Sequence, residues 1–352
     1  IIILLLLSFL NTQMSVSVPI VTYNVLSSHL ASADYFSNCD PRFLDANYRL
    51  NHLKAVLREK TDEGFIICLQ EISLNWSSDL RIWFNEQKYD VVDTHYGHKF
   101  NGTMGVAIAF PKQAFILREI DITCIADTIA LQQSPPSPTP TLAERAIDWI
   151  AWLGWMKKPT PVVDPWAMAI KKTNRMISVR LAPISDPTAT FAVSTYHMPC
   201  TFWLPACMII HCALSAQNAR RFAGADPHLY VGDFNITPDS SMYELLTTGF
   251  IASDHPDMPS PQQGTQLAVV PLTSAYKSIN GCEPNFTNNA QIKGGTPFIE
   301  TLDYIFMSDE WTVQKVRELP SRLQMAGPLP TEHEPSDHLL LSAHLQCSHR
   351  TH

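Results

Sequence analysis

Leu229-Tyr230-Val231-Gly232-Asp233-Phe234-Asn235 is an apolar run that ends in a glycine, a carboxylate and an amide. A strand that closes this way carries two hard oxygen ligands to the rim of a sheet, where Mg²⁺ or Mn²⁺ binds well. Taken alone, the pattern is ordinary turn chemistry. Four more segments end similarly: Tyr23-Asn24, Gln70-Glu71, Leu302-Asp303-Tyr304 and Ser336-Asp337-His338. The chain carries no G-x-S-x-G, no P-loop and no H-E-x-x-H to compete with them. Together these ends point to metal-dependent phosphoester chemistry.

The surrounding pattern supplies an α/β frame. Val18 to Asn24 reads as a buried strand with a polar end, and Phe65 to Leu69 as a second one leading into Gln70-Glu71. Between them, Leu50, Leu53, Val56 and Leu57 recur at helical spacing over Ala46–Lys60. Strand, helix, strand predicts a parallel pair that brings Asn24 and Glu71 to one edge. Further strands are expected at Gly105–Phe110, Ile177–Leu181, Thr190–Tyr196, Leu229–Val231, Thr301–Met307, Thr312–Leu319 and Leu339–Leu345. Helices are expected at Ala206–Phe222 and Ser240–Thr248, the second capped by Asp239 or Ser240. Strands outnumber helices, which favours an α/β sandwich over a simple doubly wound sheet.

At 352 residues and 45% hydrophobic, the chain buries a large core. The net charge of −8 excludes a global basic footprint for nucleic acid. A carboxylate site is acidic before its metal arrives, so a phosphate substrate remains compatible with it. The eight cysteines form no CxxC pair, which suits a reduced, cytoplasmic chain. The cluster His197, Cys200, Cys207, His211 and Cys212 matches no zinc spacing.

Residues 1–15 form an apolar leading segment. Ile1–Leu10 has no basic flank and is shorter than the roughly 20 residues a bilayer span needs. It reads as a signal remnant, which would make the chain secreted or membrane-associated, or as a non-native extension ahead of Met14. Residues 16–348 form the expected domain, interrupted at 131–166 by a Pro- and Trp-rich insert. Ile147, Trp149, Ile150, Trp152, Leu153 and Trp155 describe an apolar helix ending in Lys157-Lys158. It covers an edge of the core or, alternatively, docks a membrane surface or a protein partner. The oligomeric state is not legible.

Phosphodiester hydrolysis needs charge neutralised on the non-bridging oxygens, a nucleophilic water and a stabilised leaving oxygen. Glu71, at a strand end beside the Asn24 amide, is the expected main metal ligand. Asp233 and Asn235 hold a second metal or orient the water. Asp337-His338 pairs an imidazole with a carboxylate that binds metal or water, and Asp303 is placed to fix the imidazole tautomer. His197, at the end of its strand, is a candidate donor to the phosphate. Phe202 and Trp203, just beyond, offer faces for base stacking.

Thr22-Tyr-Asn24-Val-Leu, Leu69-Gln-Glu71, Gly232-Asp-Phe-Asn235, Leu302-Asp303-Tyr-Ile-Phe and Pro335-Ser-Asp337-His338 stand in an order that resembles the endonuclease/exonuclease/phosphatase superfamily. The resemblance runs from about Val18 to Leu345. It implies a four-layer sandwich of two mixed β-sheets packed face to face and flanked by helices. Cys39, Tyr48-Arg49, Tyr243-Glu-Leu-Leu, Phe286-Thr and Leu329-Pro look like the deadenylase branch that includes nocturnin and angel. Asn174-Arg175 is similar to an Asn-Arg pair of related sequences and implies a phosphate contact. Asn101-Gly102-Thr-Met-Gly105 and Ser194-Thr-Tyr-His197 depart from the branch pattern on the base-recognition side.

The resemblance implies a Mg²⁺- or Mn²⁺-dependent 3′→5′ exoribonuclease of poly(A)-like RNA. A phosphatase or phosphodiesterase of a small nucleotide or phosphoinositide would use the same fold. A catalytically inactive docking protein is the remaining class, and the buried carboxylates argue against it.

Overall fold

The computed structural model describes residues 15–98, 103–129, 163–262, 264–325 and 327–348. The leading apolar segment up to residue 14 and the Trp-rich helix expected in the insert lie outside these residues. In chain order the main elements are β1 (Ser15–Asn24), α1 (Ala46–Asp62), β2 (Ile66–Ile72), α2 (Leu74–Glu86), β3 (Tyr89–His95), β4 (Gly105–Pro111) and β5 (Phe115–Cys124). They continue with α3 (Pro165–Ala169), β6 (Arg175–Pro183), β7 (Phe191–His197), α4 (Pro205–Ala223), β8 (His228–Asp233), α5 (Ser241–Thr248) and β9 (Thr273–Ser274). The last are α6 (Ala275–Asn280), β10 (Asn288–Ala290), β11 (Phe298–Glu300), β12 (Asp303–Met307), β13 (Trp311–Val316) and β14 (Leu341–Ser348).

Two six-stranded mixed sheets result, in the orders β13-β14-β1-β2-β4-β3 and β5-β6-β7-β8-β12-β9. The β1–β2 pair is parallel, as the strand–helix–strand pattern predicts, with Asn24 opposite Gln70. The β7–β8 pair is parallel too, and α4 makes its crossover. Period-two alternation then sorts the side chains. Ile20, Ile66, Cys68, Val193, Leu229, Val231 and Ile305 belong to the core between the sheets. The intervening Val21, Ile67 and Leu69 pack outward with Leu53 and Leu57 of α1 and Leu80 of α2. Tyr196, Tyr230, Tyr304 and Phe306 pack outward with α4 and α5. The layers are helix, sheet, sheet, helix, as the resemblance implied.

Some local expectations shift. The Ser240 hydroxyl, not Asp239, caps α5, accepting from the Tyr243 N–H at 3.2 Å. The strand expected at Thr312–Leu319 stops at Val316, after a register slip between Val313 and Lys315 against β14. Helix α2 and strands β3 and β5 had no clear periodic signal. Asp121 and Thr123 hydrogen-bond each other on β5, and Glu119 pairs with Arg180, so polar contacts hold that edge strand. Among the described residues no helix is long and apolar enough to cross a membrane.

Gly232 ties fold to site. Its φ is +150°, and a Cβ built there would lie 2.0 Å from the Tyr196 carbonyl oxygen on β7. Only glycine lets β7 and β8 close at the position just before Asp233. Gly232→Ala is therefore expected to cost about 1–3 kcal/mol and lower the thermal midpoint by several degrees. A melting curve unchanged from wild type would refute this account of the β7–β8 contact.

Candidate active site

The alternation that builds the core also aims the polar strand ends. Asn24 shares the inner face of β1 with Val18, Ile20 and Thr22, and His197 that of β7 with Val193 and Thr195. Asp233 and Asp303 share theirs with Leu229, Val231, Ile305 and Met307. Register completes the convergence: His197 stands beside Asp233 across β7–β8, and Asp303 beside Asp233 across β8–β12. Below them Gln70 closes the polar layer, donating to Thr22 Oγ1 at 3.1 Å and Thr195 Oγ1 at 3.0 Å.

Glu71 breaks the alternation. Gln70 faces the inner layer, so a regular strand would send Glu71 outward to the helices. Instead the β2–β4 register slips between Gln70 and Ile72, and Glu71 takes φ +61°. A bulge of this kind re-aims one side chain. The left-handed conformation is strained for a non-glycine residue, by about 1–3 kcal/mol.

Once aimed, the groups meet closely. Asn24 Nδ2 donates to Asp233 Oδ2 at 2.9 Å and to Glu71 Oε1 at 3.2 Å. The other Glu71 oxygen accepts from the Ser27 N–H at 2.9 Å. His338 Nδ1 lies 2.7 Å from Asp303 Oδ2, which also accepts from Thr287 Oγ1 at 2.6 Å. His338 Nε2 is 3.8 Å from Asp233 Oδ2. His197 Nε2 lies 3.5 Å from the same oxygen and 3.8 Å from Glu71 Oε1.

Burial sets the electrostatics. Desolvation raises the Asp303 carboxyl to about 6, against the pull of His338. For His338, burial opposes the charged ring, but the Asp303 and Asp233 carboxylates outweigh it and hold the ring's proton affinity well above the ordinary value. Asp337 is raised by burial, while His338 and Arg49 partly restore its charged form. Farther back, burial pushes Glu334 to about 7, although the Tyr23 hydroxyl donates to it.

These residues fit a divalent cation. Ligand atoms of Glu71, His197 and Asp233 lie within 4.8 Å of one another, as do those of Asp233, Asp303 and His338. Asp303 Oδ1 is buried with no hydrogen-bond partner among the described residues. Packed carboxylates without a matching cation are costly, and hard oxygen donors suit a small divalent ion.

Other expected site residues land differently. Asn24 turns its NH₂ group to the carboxylates, while its oxygen accepts from the Leu26 N–H at 2.9 Å. Asn235, at φ +52°, spends its amide on the Met198 carbonyl at 3.0 Å and is buried. Asn174 donates to the His197 carbonyl at 2.9 Å, so it supports a neighbour of the site. Arg175 is exposed at the start of β6, opposite Cys124. Asp337 lies outside both ligand clusters, although its charge is felt by Glu71's neighbourhood and by His338.

Three supporting residues had no role assigned from the sequence. Tyr96 reaches His197 Nδ1 at 2.7 Å. Thr287 holds Asp303. Arg49, fully buried, donates to the carbonyls of Val25 and Leu26 at 2.6 Å and of Pro335 at 2.7 Å. It thus ties the loop after β1 to the segment that carries Asp337 and His338. Arg49 and Phe286-Thr287 figured in the resemblance, without assigned roles.

The profile described as the Endonuclease/Exonuclease/phosphatase family matches residues 21–338. The 2′,5′-phosphodiesterase 12 of Mus musculus is 25% identical over 343 residues, which cover 93% of this chain and 51% of that protein. The carbon catabolite repressor protein 4 homolog 4 of Arabidopsis thaliana is 37% identical over 123 residues, 34% of this chain and 26% of that one. The chain spans about half the length of the first of these relatives and less of the second. Among solved structures, ANGEL2, described as a 2′,3′-cyclic phosphatase in complex with adenosine-2′,3′-vanadate, superposes with a TM-score of 0.69. Its identity is 17%, and the match covers 95% of this chain and 96% of that one. The human Nocturnin catalytic domain with bound sulfate has a TM-score of 0.59, 17% identity and the same coverage. These structures share the fold.

The Glu334 shift has a pH consequence. Its carboxyl titrates near 4.5 when unfolded and near 7 when folded, so the native state binds the extra proton between these values. Stability from this group is complete below about pH 4.5 and is lost as pH rises through 7. Glu334→Gln should remove about 1–3 kcal/mol of that decline. Urea unfolding of both proteins at pH 5 and pH 7.5 measures it; equal pH slopes would contradict it.

Proposed function

This chain belongs to the endonuclease/exonuclease/phosphatase family, and we infer that it is a magnesium-dependent 3′→5′ exoribonuclease acting on short poly(A)-like RNA. At the coarser level it is an enzyme, a metal-dependent phosphoesterase. The observations that support the finer reading are the convergence of Glu71, Asp233, Asp303, His338 and His197 at one rim and an exposed aromatic pair that begins five residues after His197 in the chain. Phe202 and Phe298 lie 5.9 Å apart, 43% and 40% exposed, and Trp203 next to them is 63% exposed. Such faces suit stacked bases better than an inositol ring.

In this reading Glu71 is the main metal ligand, supported by Asn24, with Asp337 and the Asp233–Asp303 side completing the oxygen donors. The bound cation would neutralise phosphate charge and lower the pKa of a water. Asp233 accepts a proton from the attacking water. His338, held by Asp303, places a positive N–H near the phosphate. His197 donates to a non-bridging oxygen. Exposed Arg175, with Lys171 and Lys172 just before it, supplies local positive charge for the RNA strand. With a net charge of −8, contact with RNA is local and short. Eight free cysteines support a cytoplasmic setting. The domain boundaries 16–348 belong to this reading.

A second reading is a phosphodiesterase or cyclic phosphatase of a small nucleotide. Its support is the printed descriptions of 2′,5′-phosphodiesterase 12 and ANGEL2. Parallel assays on 3′,5′-oligo(A), 2′,5′-oligo(A) and a 2′,3′-cyclic nucleotide separate the two.

Glu71→Ala should lower turnover by roughly 10²–10³-fold or more while leaving the melting curve near that of wild type. Wild-type rates from the variant in EDTA would refute the metal assignment. For RNA, rates on oligo(A) of increasing length should level off early. The salt slope should be shallow, at about −0.7 per phosphate contacted. A steep slope, or internal cuts in duplex DNA, would refute the exoribonuclease reading. Phe202→Ala should raise KM for oligo(A) by roughly 5–100-fold, from a stacking contribution of about 1–3 kcal/mol per base; an unchanged KM would remove Phe202 from the substrate path.

A further inference from the structure

We propose that Tyr96 is a positioning residue that holds the His197 ring in its Nε2–H tautomer. His197 then meets the substrate as a hydrogen-bond donor and not as a metal ligand. The inference rests on the phosphoesterase reading of the site and deepens it.

Tyr96 follows β3 and is 5% exposed, with its backbone N–H fixed on the Met104 carbonyl at 2.8 Å. Its hydroxyl lies 2.7 Å from His197 Nδ1, and the two rings meet edge-on at 6.2 Å. A phenol oxygen carries a single proton. The Asn174 amide donates to the His197 carbonyl at 2.9 Å and so fixes the backbone that carries the ring. With the phenol proton directed at Nδ1, the hydroxyl donates and the ring nitrogen accepts.

A neutral imidazole that accepts at Nδ1 carries its own proton at Nε2. The surroundings of Nε2 agree. Asp233 Oδ2 lies 3.5 Å away and Glu71 Oε1 3.8 Å away. An N–H is attracted to two carboxylate oxygens, whereas a lone pair would be repelled by them. A nitrogen that keeps its proton has no lone pair to give a cation. His197 is therefore separated from Glu71 and Asp233 in function, although its ring nitrogen stands among their oxygens. The carboxylates face the cation, and the N–H is left for a phosphoryl oxygen.

The test uses the full chain and three readouts. Histidine-selective ¹⁵N NMR of the metal-free protein, with His197→Asn to assign the signal, should show His197 with its proton on Nε2. Tyr96→Phe, nearly isosteric, should move that signal toward a mixture of tautomers. Calorimetry with Mg²⁺ should give Tyr96→Phe and His197→Asn affinities within about twofold of wild type. On oligo(A), Tyr96→Phe should lower kcat by roughly 10–100-fold with KM nearly unchanged. A wild-type proton on Nδ1, an unmoved signal in Tyr96→Phe, or a tenfold loss of Mg²⁺ affinity in either variant would overturn the proposal. The NMR and calorimetric results need no substrate, so failure of the exoribonuclease reading would show separately, as absence of RNA hydrolysis by the wild type.

Discussion

Like charges brought together away from water repel strongly, and this chain places Glu71, Asp233, Asp303 and Asp337 around one rim. The rest of the architecture answers that constraint. Glu71, Asp233 and Asp303 meet donors from other segments: the Asn24 amide from β1, the Ser27 N–H from the following loop, Thr287 and the His338 ring. A loop could not hold these groups to the required few tenths of an ångström. Two packed sheets with fully buried inner faces hold them because the strands cannot slide without exposing that core. The compensation is still incomplete: one Asp303 oxygen lacks a partner among the described residues, which leaves room for a cation's charge.

Glu71 shows what it takes to add one more acid. Straight β2 geometry would bury its carboxylate against the helices, among Leu53 and Leu80. The bulge and left-handed backbone turn it to the rim at a local cost in strain, offset by the Asn24 and Ser27 hydrogen bonds. Beneath the rim, Gln70 links Thr22 on one sheet to Thr195 on the other, so the sheets are registered where the site needs it. Arg49 does the same for the loops, binding backbone carbonyls on both sides with a charge that also favours the ionised form of Asp337.

Family membership and fold leave substrate choice to the periphery. The acids and histidines serve any phosphoester, and the relatives with described activities span several. The exposed Phe202–Phe298 pair brings together the turn after β7 and the β10–β11 hairpin, segments that the acidic cluster does not include.

Much of this was legible in the residues. Apolar runs closed by Asn, Glu or Asp located β1, β2, β8 and β12 and their site ends, because strand alternation and terminal polarity are local properties. The parallel pairing of β1 and β2 followed from the helix between them. The edge elements β3 and β5 and helix α2 were silent, since their faces are half-buried and their patterns mixed. Asn235 read as an amide that holds a metal or orients the water, and Asn174 by resemblance as a phosphate contact; the structure shows both NH₂ groups donating to backbone carbonyls, a direction that composition does not carry. Tyr96 was invisible because a hydrogen bond across 101 residues leaves no mark on composition or spacing. By itself, then, the sequence determined the family pattern, the polar strand ends that converge and the kind of sheet that presents them. Only the tertiary structure decided which of them touch and which way Glu71 points, because these depend on register, bulge and packing between segments far apart in the chain.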